Sequence, residues 1–219
     1  GVGVHEEYEC FMYKDGKQVA YDVIVARYGQ ELSIDLSGKI ALNGEGKYTV
    51  VVKAGVRYNE EKDEIEYLYM GTSAERVYVK PEKQLATPAN FSVDLETGKV
   101  MFDQVKDVAS YELWIWFASA GNEPSGYVEV EIYDDSISDG KVEYTMEQLP
   151  DRLDAYKEMY KNYDIVISVG VWATSENIDK VAYSDFTKQV IFENKLTKEE
   201  VKENLDAALE NIEEKPWEA

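Results

Sequence analysis

Two stretches of strict alternation organise this chain. Tyr48 to Val56 and Tyr163 to Val171 each begin with Tyr, alternate apolar with other residues, and end in Gly-Val. Such alternation predicts a β-strand with one face in a core. Tyr48, Val50, Val52 and Ala54 then point inward, as do Tyr163, Ile165, Ile167 and Val169. The stretches lie 115 residues apart, which predicts one domain present twice.

Further alternating runs predict strands at Tyr8–Tyr13, Val19–Ala26 and Glu31–Leu36, and a last strand made of Tyr67–Tyr69 and Arg76–Val79 with an interruption near Gly71–Ser73, with a hairpin turn at Lys14–Lys17 and a second turn at Ser37–Gly38. The second copy predicts strands at Asn90–Leu95, Lys99–Phe102, Tyr111–Phe117, Tyr127–Tyr133, Lys141–Met146 and Thr187–Phe192. Pro150 predicts the first turn of a helix over 151–160, with Leu153, Tyr156 and Tyr160 on the side that caps the second domain. Tyr8 aligns with Tyr111 at an offset of 103, and the helix is expected to account for the 12 residues by which the later offset exceeds it. Leu196 to Ile212 carries an apolar stripe behind a capping box, Thr197 to Glu200, and predicts a C-terminal helix that docks on its own domain, links to a further domain or contacts another chain.

Charge narrows the partners. The 219 residues carry 44 Asp and Glu against 23 Lys and Arg, a net charge of −21. That balance argues against nucleic acid and against anionic membranes, because phosphate contacts need cations. No apolar run reaches the ~20 residues that span a bilayer, so membrane insertion is not expected. One Cys excludes an intrachain disulfide. The sequence opens without a signal peptide, as a trimmed chain would.

The segments "GKVMFDQVKDVASYELWIWF", "KNYDIVISVGVWA" and "YSDFTKQVIF" resemble strands B–C, F and G of a fibronectin type III domain, with Phe102 where that family usually has Trp. Tyr48 and Tyr163 match its tyrosine-corner position. "YECFMYKDGK" and "DLSGKIALNGEGKYTVVVKAGV" resemble fibronectin-type repeats in surface proteins of Gram-positive gut bacteria. The resemblance implies an all-β chain of two tandem immunoglobulin-like or fibronectin type III-like β-sandwiches with a C-terminal α-helix. The expected division is a first sandwich over 1–82, a linker over 83–88, a complete sandwich over 89–194, and a helical tail over 195–219. Gly1 aligns with Gln104, so the first sandwich lacks its first two strands. Its inner face is therefore expected to be covered by upstream sequence, by strands from another chain, or by a homodimer contact.

Candidate chemistry is sparse. His5 is the only His, and Cys10 alternates inward with Tyr8 and Met12, so no His–Cys metal set and no activated nucleophile is expected. The run Asp134 to Gly140 invites calcium but has Ile137 where an oxygen ligand belongs. No catalytic residue, metal or cofactor is assigned.

The aromatic residues are the candidate site. With Tyr111, Leu113, Ile115 and Phe117 inward, Trp114 and Trp116 face out, beside Val166, Ser168, Gln189 and Ile191, with Trp172 joining them. Phe11, Tyr13, Val51 and Tyr78 take the outward places of the first copy. Exposed aromatic patches of this size mark interfaces; the cover expected here is the tail helix, the first domain or another chain. The function implied is a non-catalytic spacer or adhesion module, secreted or attached to a bacterial cell wall, that binds a protein. The alternative is a carbohydrate-binding accessory module of a larger secreted enzyme, stacking a surface polysaccharide on the Trp rings.

Overall fold

A computed structural model describes residues 5–27, 34–59, 64–119, 124–133 and 137–213. The chain is all-β with three helices among the described residues, and it divides into two units. The first is Gly1–Lys83 with Asn177–Ala182; the second is Gln84–Glu176 with Tyr183–Ala219.

In the first unit, β1 (His5–Lys14), β2 (Lys17–Arg27), β3 (Gly46–Asn59) and β4 (Glu64–Thr72) form one antiparallel sheet in the order β2-β1-β3-β4. A short β5 (Arg76–Tyr78) also pairs with β3. The Lys14–Lys17 turn forms as expected, with Asp15 and Gly16 both at positive φ. Where a strand at Glu31–Leu36 and a turn at Ser37–Gly38 are expected, residues 31–33 lie outside the described set, 34–36 are irregular, and Ser37–Asn43 is helix α1. This helix lies on the inward face of the sheet. Its Ile40 is buried, Lys39 pairs with Asp22 at 3.2 Å, and the Lys14 ammonium donates to the Asn43 carbonyl at 2.6 Å. Cys10, Met12, Tyr48 and Ala54 are buried there within this single chain, while Val50 and Val52 are half-buried. The expected donor from outside is therefore not needed at those four positions. Tyr78 is also buried, not outward, because it pairs with Gly46, which shares the inward face of β3 with Tyr48.

The second unit is a sandwich of two antiparallel sheets. One has the order β10 (Ile137–Ser138), β11 (Lys141–Thr145), β7 (Lys99–Asp103), β6 (Ser92–Val93). The other has the order β13 (Thr187–Asn194), β12 (Ile165–Thr174), β8 (Ser110–Ser119), β9 (Ser125–Ile132). This is the strand arrangement of immunoglobulin and fibronectin type III sandwiches. Val100, Phe102 and Val142 from one sheet meet Leu113, Ile115, Ile167, Val169 and Val171 from the other, all essentially without solvent exposure. Phe102 packs edge-on to Tyr111 at 4.9 Å between ring centres, and the Tyr111 hydroxyl accepts from the Val105 amide at 2.7 Å.

Helix α2 (Leu149–Met159) forms where a helix over 151–160 is expected, with Leu149 and Leu153 buried beneath it. It does not account for the length difference between the copies, because α1 stands at the corresponding point of the first unit. The β10–β11 hairpin lies in the same connection of the second unit. Tyr163 is a second correction. β12 begins at Ile165, and Tyr163 stands 60% exposed, edge-on to Tyr160. Tyr8 lies opposite Ala54, and Tyr111 opposite Ala173. With Tyr8 matched to Tyr111, Ile167 rather than Tyr163 takes the place of Tyr48. Tyr48 itself is buried, with its hydroxyl donating to the Gly44 carbonyl.

Helix α3 (Lys198–Glu213) begins with the expected capping box. The Thr197 amide donates to the Glu200 carboxylate at 2.7 Å, and the Glu200 amide donates back to the Thr197 hydroxyl at 3.3 Å. Its Val201 and Leu205 are exposed, so no docking is seen at these two positions.

Candidate functional site

Strand pairing builds an aromatic cluster on the outer face of the second sheet of the second unit. Trp114 lies opposite Gly170, Trp116 opposite Ser168, and Glu112 opposite Trp172, so all six share that face. The expected outward set of Trp114, Trp116 and Trp172 is therefore brought together. The indoles of Trp114 and Trp116 stack with centres 5.3 Å apart, and Trp172 meets Trp114 edge-on at 5.7 Å. Glu112 lies at the centre: one carboxylate oxygen accepts both the Trp114 and the Trp172 indole N–H, each at 2.9 Å. The Trp116 indole N–H is buried with no hydrogen-bond partner among the described residues.

The cover differs from the expected one. The segment between β12 and β13 supplies it, with Phe186 edge-on to Trp116 and to Trp172, and Tyr183 edge-on to Trp172. A Cβ on Gly170 would lie 2.2 Å from the Phe186 ring and 2.7 Å from the Thr187 carbonyl oxygen, so the glycine makes the space. Trp114 and Trp172 are buried and Trp116 is half-buried. Sugar stacking needs open ring faces, and the two buried indoles do not offer them here.

Two of the other expected outward residues behave differently because of a β-bulge. Pairing of β12 with β13 shifts between Ile167 and Ser168, which leaves Ile191 as the extra residue and sets Gln189 opposite Val169. Gln189 thus turns to the sandwich interior. Its amide accepts from the Val93 N–H at 2.9 Å and donates to the Val93 carbonyl at 3.1 Å, tying the two sheets together. Ile191 is buried at the bulge, not exposed. Val166 stays half-buried on the outer face, opposite Ala118 and Glu193.

A second aromatic group was not singled out by sequence pattern. Phe117 packs against Tyr127, Tyr156 and Tyr160, and the Tyr127 and Tyr156 hydroxyls lie 3.2 Å apart. Burial, then the Tyr127 hydrogen bond, pushes the Tyr156 phenol above its ordinary value. Arg152 donates to Glu129 at 2.6 Å beside them. Alternation along one strand does not reveal this group, because it joins a strand end to a helix.

In the first unit, Phe11 and Tyr13 are half-buried on the outer face. Phe11 lies opposite Val51 and Tyr21. Its ring meets Tyr21 at 5.1 Å, and the Lys53 ammonium sits 4.6 Å above it. Cys10 points the other way and is buried; burial raises its thiol pKa, with Asp22 adding to the effect and Lys39 opposing it. A thiol kept protonated in a core is a filler, not a nucleophile.

No family model matches the chain, and no curated protein matches it. Among solved structures, a crystal structure of the FN1–FN3 domains of chicken CNTN1 is similar to it at 12% identity and a TM-score of 0.24. The match covers 84% of this chain and 55% of that one, so this chain spans about half the length of its neighbour. A TM-score this low carries no argument; the sandwich assignment rests on strand order and pairing.

Proposed function

We propose that this chain is a non-catalytic protein-interaction module, serving as a spacer or adhesion segment of a secreted or wall-attached bacterial protein. One observation carries the interaction reading. The same outward sheet face occurs in both units; its central rows carry an aromatic cover in the second, and apolar side chains stand open to solvent in the first. An open apolar sheet face on a highly charged chain fits a partner surface. Sequence resemblance of Tyr8–Lys17 and Asp35–Val56 to Gram-positive surface repeats supports the location.

Surface plasmon resonance on the immobilised chain tests the reading, with one panel of extracellular-matrix and cell-surface proteins and one of wall and host polysaccharides. Saturable binding to a protein and silence across the polysaccharides is expected. Polysaccharide binding that changes tryptophan emission, with no protein response, would replace this reading with the carbohydrate-binding one. Fractionation of cells making the parent protein tests its location.

A further inference from the structure

We propose that the outer face of the first unit's sheet, centred on Glu9 and Phe11, binds a protein segment that brings an arginine together with an aromatic side chain. This deepens the interaction-module reading above and rests on it.

The argument begins with the equivalence of the two faces. With Tyr8 matched to Tyr111 and Ala54 to Ala173, Glu9 takes the place of Glu112, Phe11 of Trp114, and Tyr13 of Trp116. Likewise Val51 takes the place of Gly170 and Lys53 of Trp172. In the second unit the central carboxylate oxygen accepts two indole N–H groups, and Tyr183 and Phe186 lie over the cluster.

The first unit has the carboxylate without either complement. One oxygen of Glu9 accepts the Tyr21 hydroxyl at 3.0 Å; the other is buried and has no donor among the described residues. Lys53 replaces the Trp that would donate. Val51 replaces the glycine that would admit a covering ring. β3 and β4 pair from Val51 with Thr72 to Asn59 with Glu64, so the two strands run on as one long hairpin. Among the described residues, no segment corresponding to Tyr183–Phe186 returns over the face. Row by row, Val23, Glu9, Lys53 and Met70 lie side by side, and then Tyr21, Phe11, Val51 and Thr72. Tyr21 is 47% exposed, Val23 44% and Met70 70%.

The chemistry of the occupant follows from what is missing. A buried carboxylate oxygen without a donor is costly, and a donor arriving from outside removes that cost. A cation suits a carboxylate on a chain of net charge −21. Arginine suits it better than lysine: its planar fork binds carboxylate while its face stacks on the exposed Tyr21 ring beside Phe11, which already carries Lys53. The exposed Tyr21, Val23 and Met70 call for an apolar neighbour, and the second unit uses aromatic rings for that role.

The probe is the blocked tetrapeptide Arg-Trp-Arg-Trp, with Glu-Trp-Glu-Trp as its charge-reversed counterpart. Each is titrated into the full chain and followed by the Met70 methyl and Val23 resonances. Saturable binding of the arginine peptide alone is expected, weakened about tenfold by Glu9→Gln and left unchanged by Glu82→Gln, which removes one exposed charge elsewhere. Equal weakening by both substitutions would reduce the effect to net charge and overturn the proposal, as would shifts confined to the second unit or no saturation. The two readings fail separately. A chain that binds a matrix protein unaltered by Glu9→Gln and Phe11→Ala keeps the module reading and loses this face. A chain that binds the peptide at Glu9 but no protein on the panel does the reverse.

Discussion

The Phe186 ring lies directly over Gly170, so that a single methyl group on the glycine would come within 2.2 Å of it. This contact closes the tryptophan cluster of the second unit. It also explains why a residue with no side chain sits in the middle of a buried strand.

Gly170→Ala is expected to destabilise the second unit by about 1–3 kcal/mol, the usual cost of overpacking. The ring could move aside, but the Thr187 carbonyl oxygen, 2.7 Å from the new methyl, belongs to the paired strand. Urea denaturation followed by tryptophan emission measures the change. Unaltered stability would mean that Phe186 does not lie on this face.

Gln189→Ala removes both hydrogen bonds that hold Val93 of β6 to β13. Loss of about 1–2 kcal/mol is expected, with faster amide exchange concentrated at Ser92 and Val93. Exchange rising uniformly through the sandwich would show a general loss of packing instead of a lost tie.

Tyr48→Phe tests the Tyr48–Gly44 hydrogen bond in the first unit. The phenol is pushed up to about 12, chiefly by burial, with Asp15 and Tyr78 adding to the effect. A folded-state value above the unfolded one stabilises the fold fully below about pH 10, the ordinary tyrosine value. That contribution is lost as pH rises through the folded value. Alkaline titration at the tyrosinate absorbance should therefore show Tyr48 among the late-ionising phenols, with Tyr78 and Tyr156, and one late group fewer in the Phe variant. A Tyr48 that ionises with the exposed tyrosines would contradict its burial.

The capping box of α3 sets an acid limit. Hydrogen bonds from the Thr197 amide and hydroxyl hold the Glu200 carboxyl below its ordinary value. A depressed folded-state value means that the stabilisation is present above the unfolded carboxylate value and is lost as pH falls through the folded one. Carbon-13 titration of Glu200 should show the low value, and Thr197→Ala, which removes the hydroxyl and keeps the amide donor, should move it part of the way back toward the ordinary range while costing the helix about 1 kcal/mol. A Glu200 titration unchanged by that substitution would dismiss the box.

The alternating positions of Tyr48–Ala54 and of Ile165–Val171, the outward side of Trp114 and Trp116, the first turn of α2 around Pro150 and the cap of α3 were all legible in the sequence. Each depends on neighbours within a few residues, and the strand period of 2 or a capping bond is a local property. Helix α1 was not legible: it has no side-chain cap bond, no acidic residue in its first turn and no basic residue in its last. It is held by Ile40 packing on a sheet formed from distant strands. The inward turn of Gln189 was hidden because one bulge at Ile191 reverses which face the residues beyond it occupy, and a bulge exists only between paired strands. Whether the tryptophans were bare or covered depended on where Tyr183 and Phe186 return after β12. Alternation decides which side of a strand a residue faces; only the folded sheet decides what lies on that side.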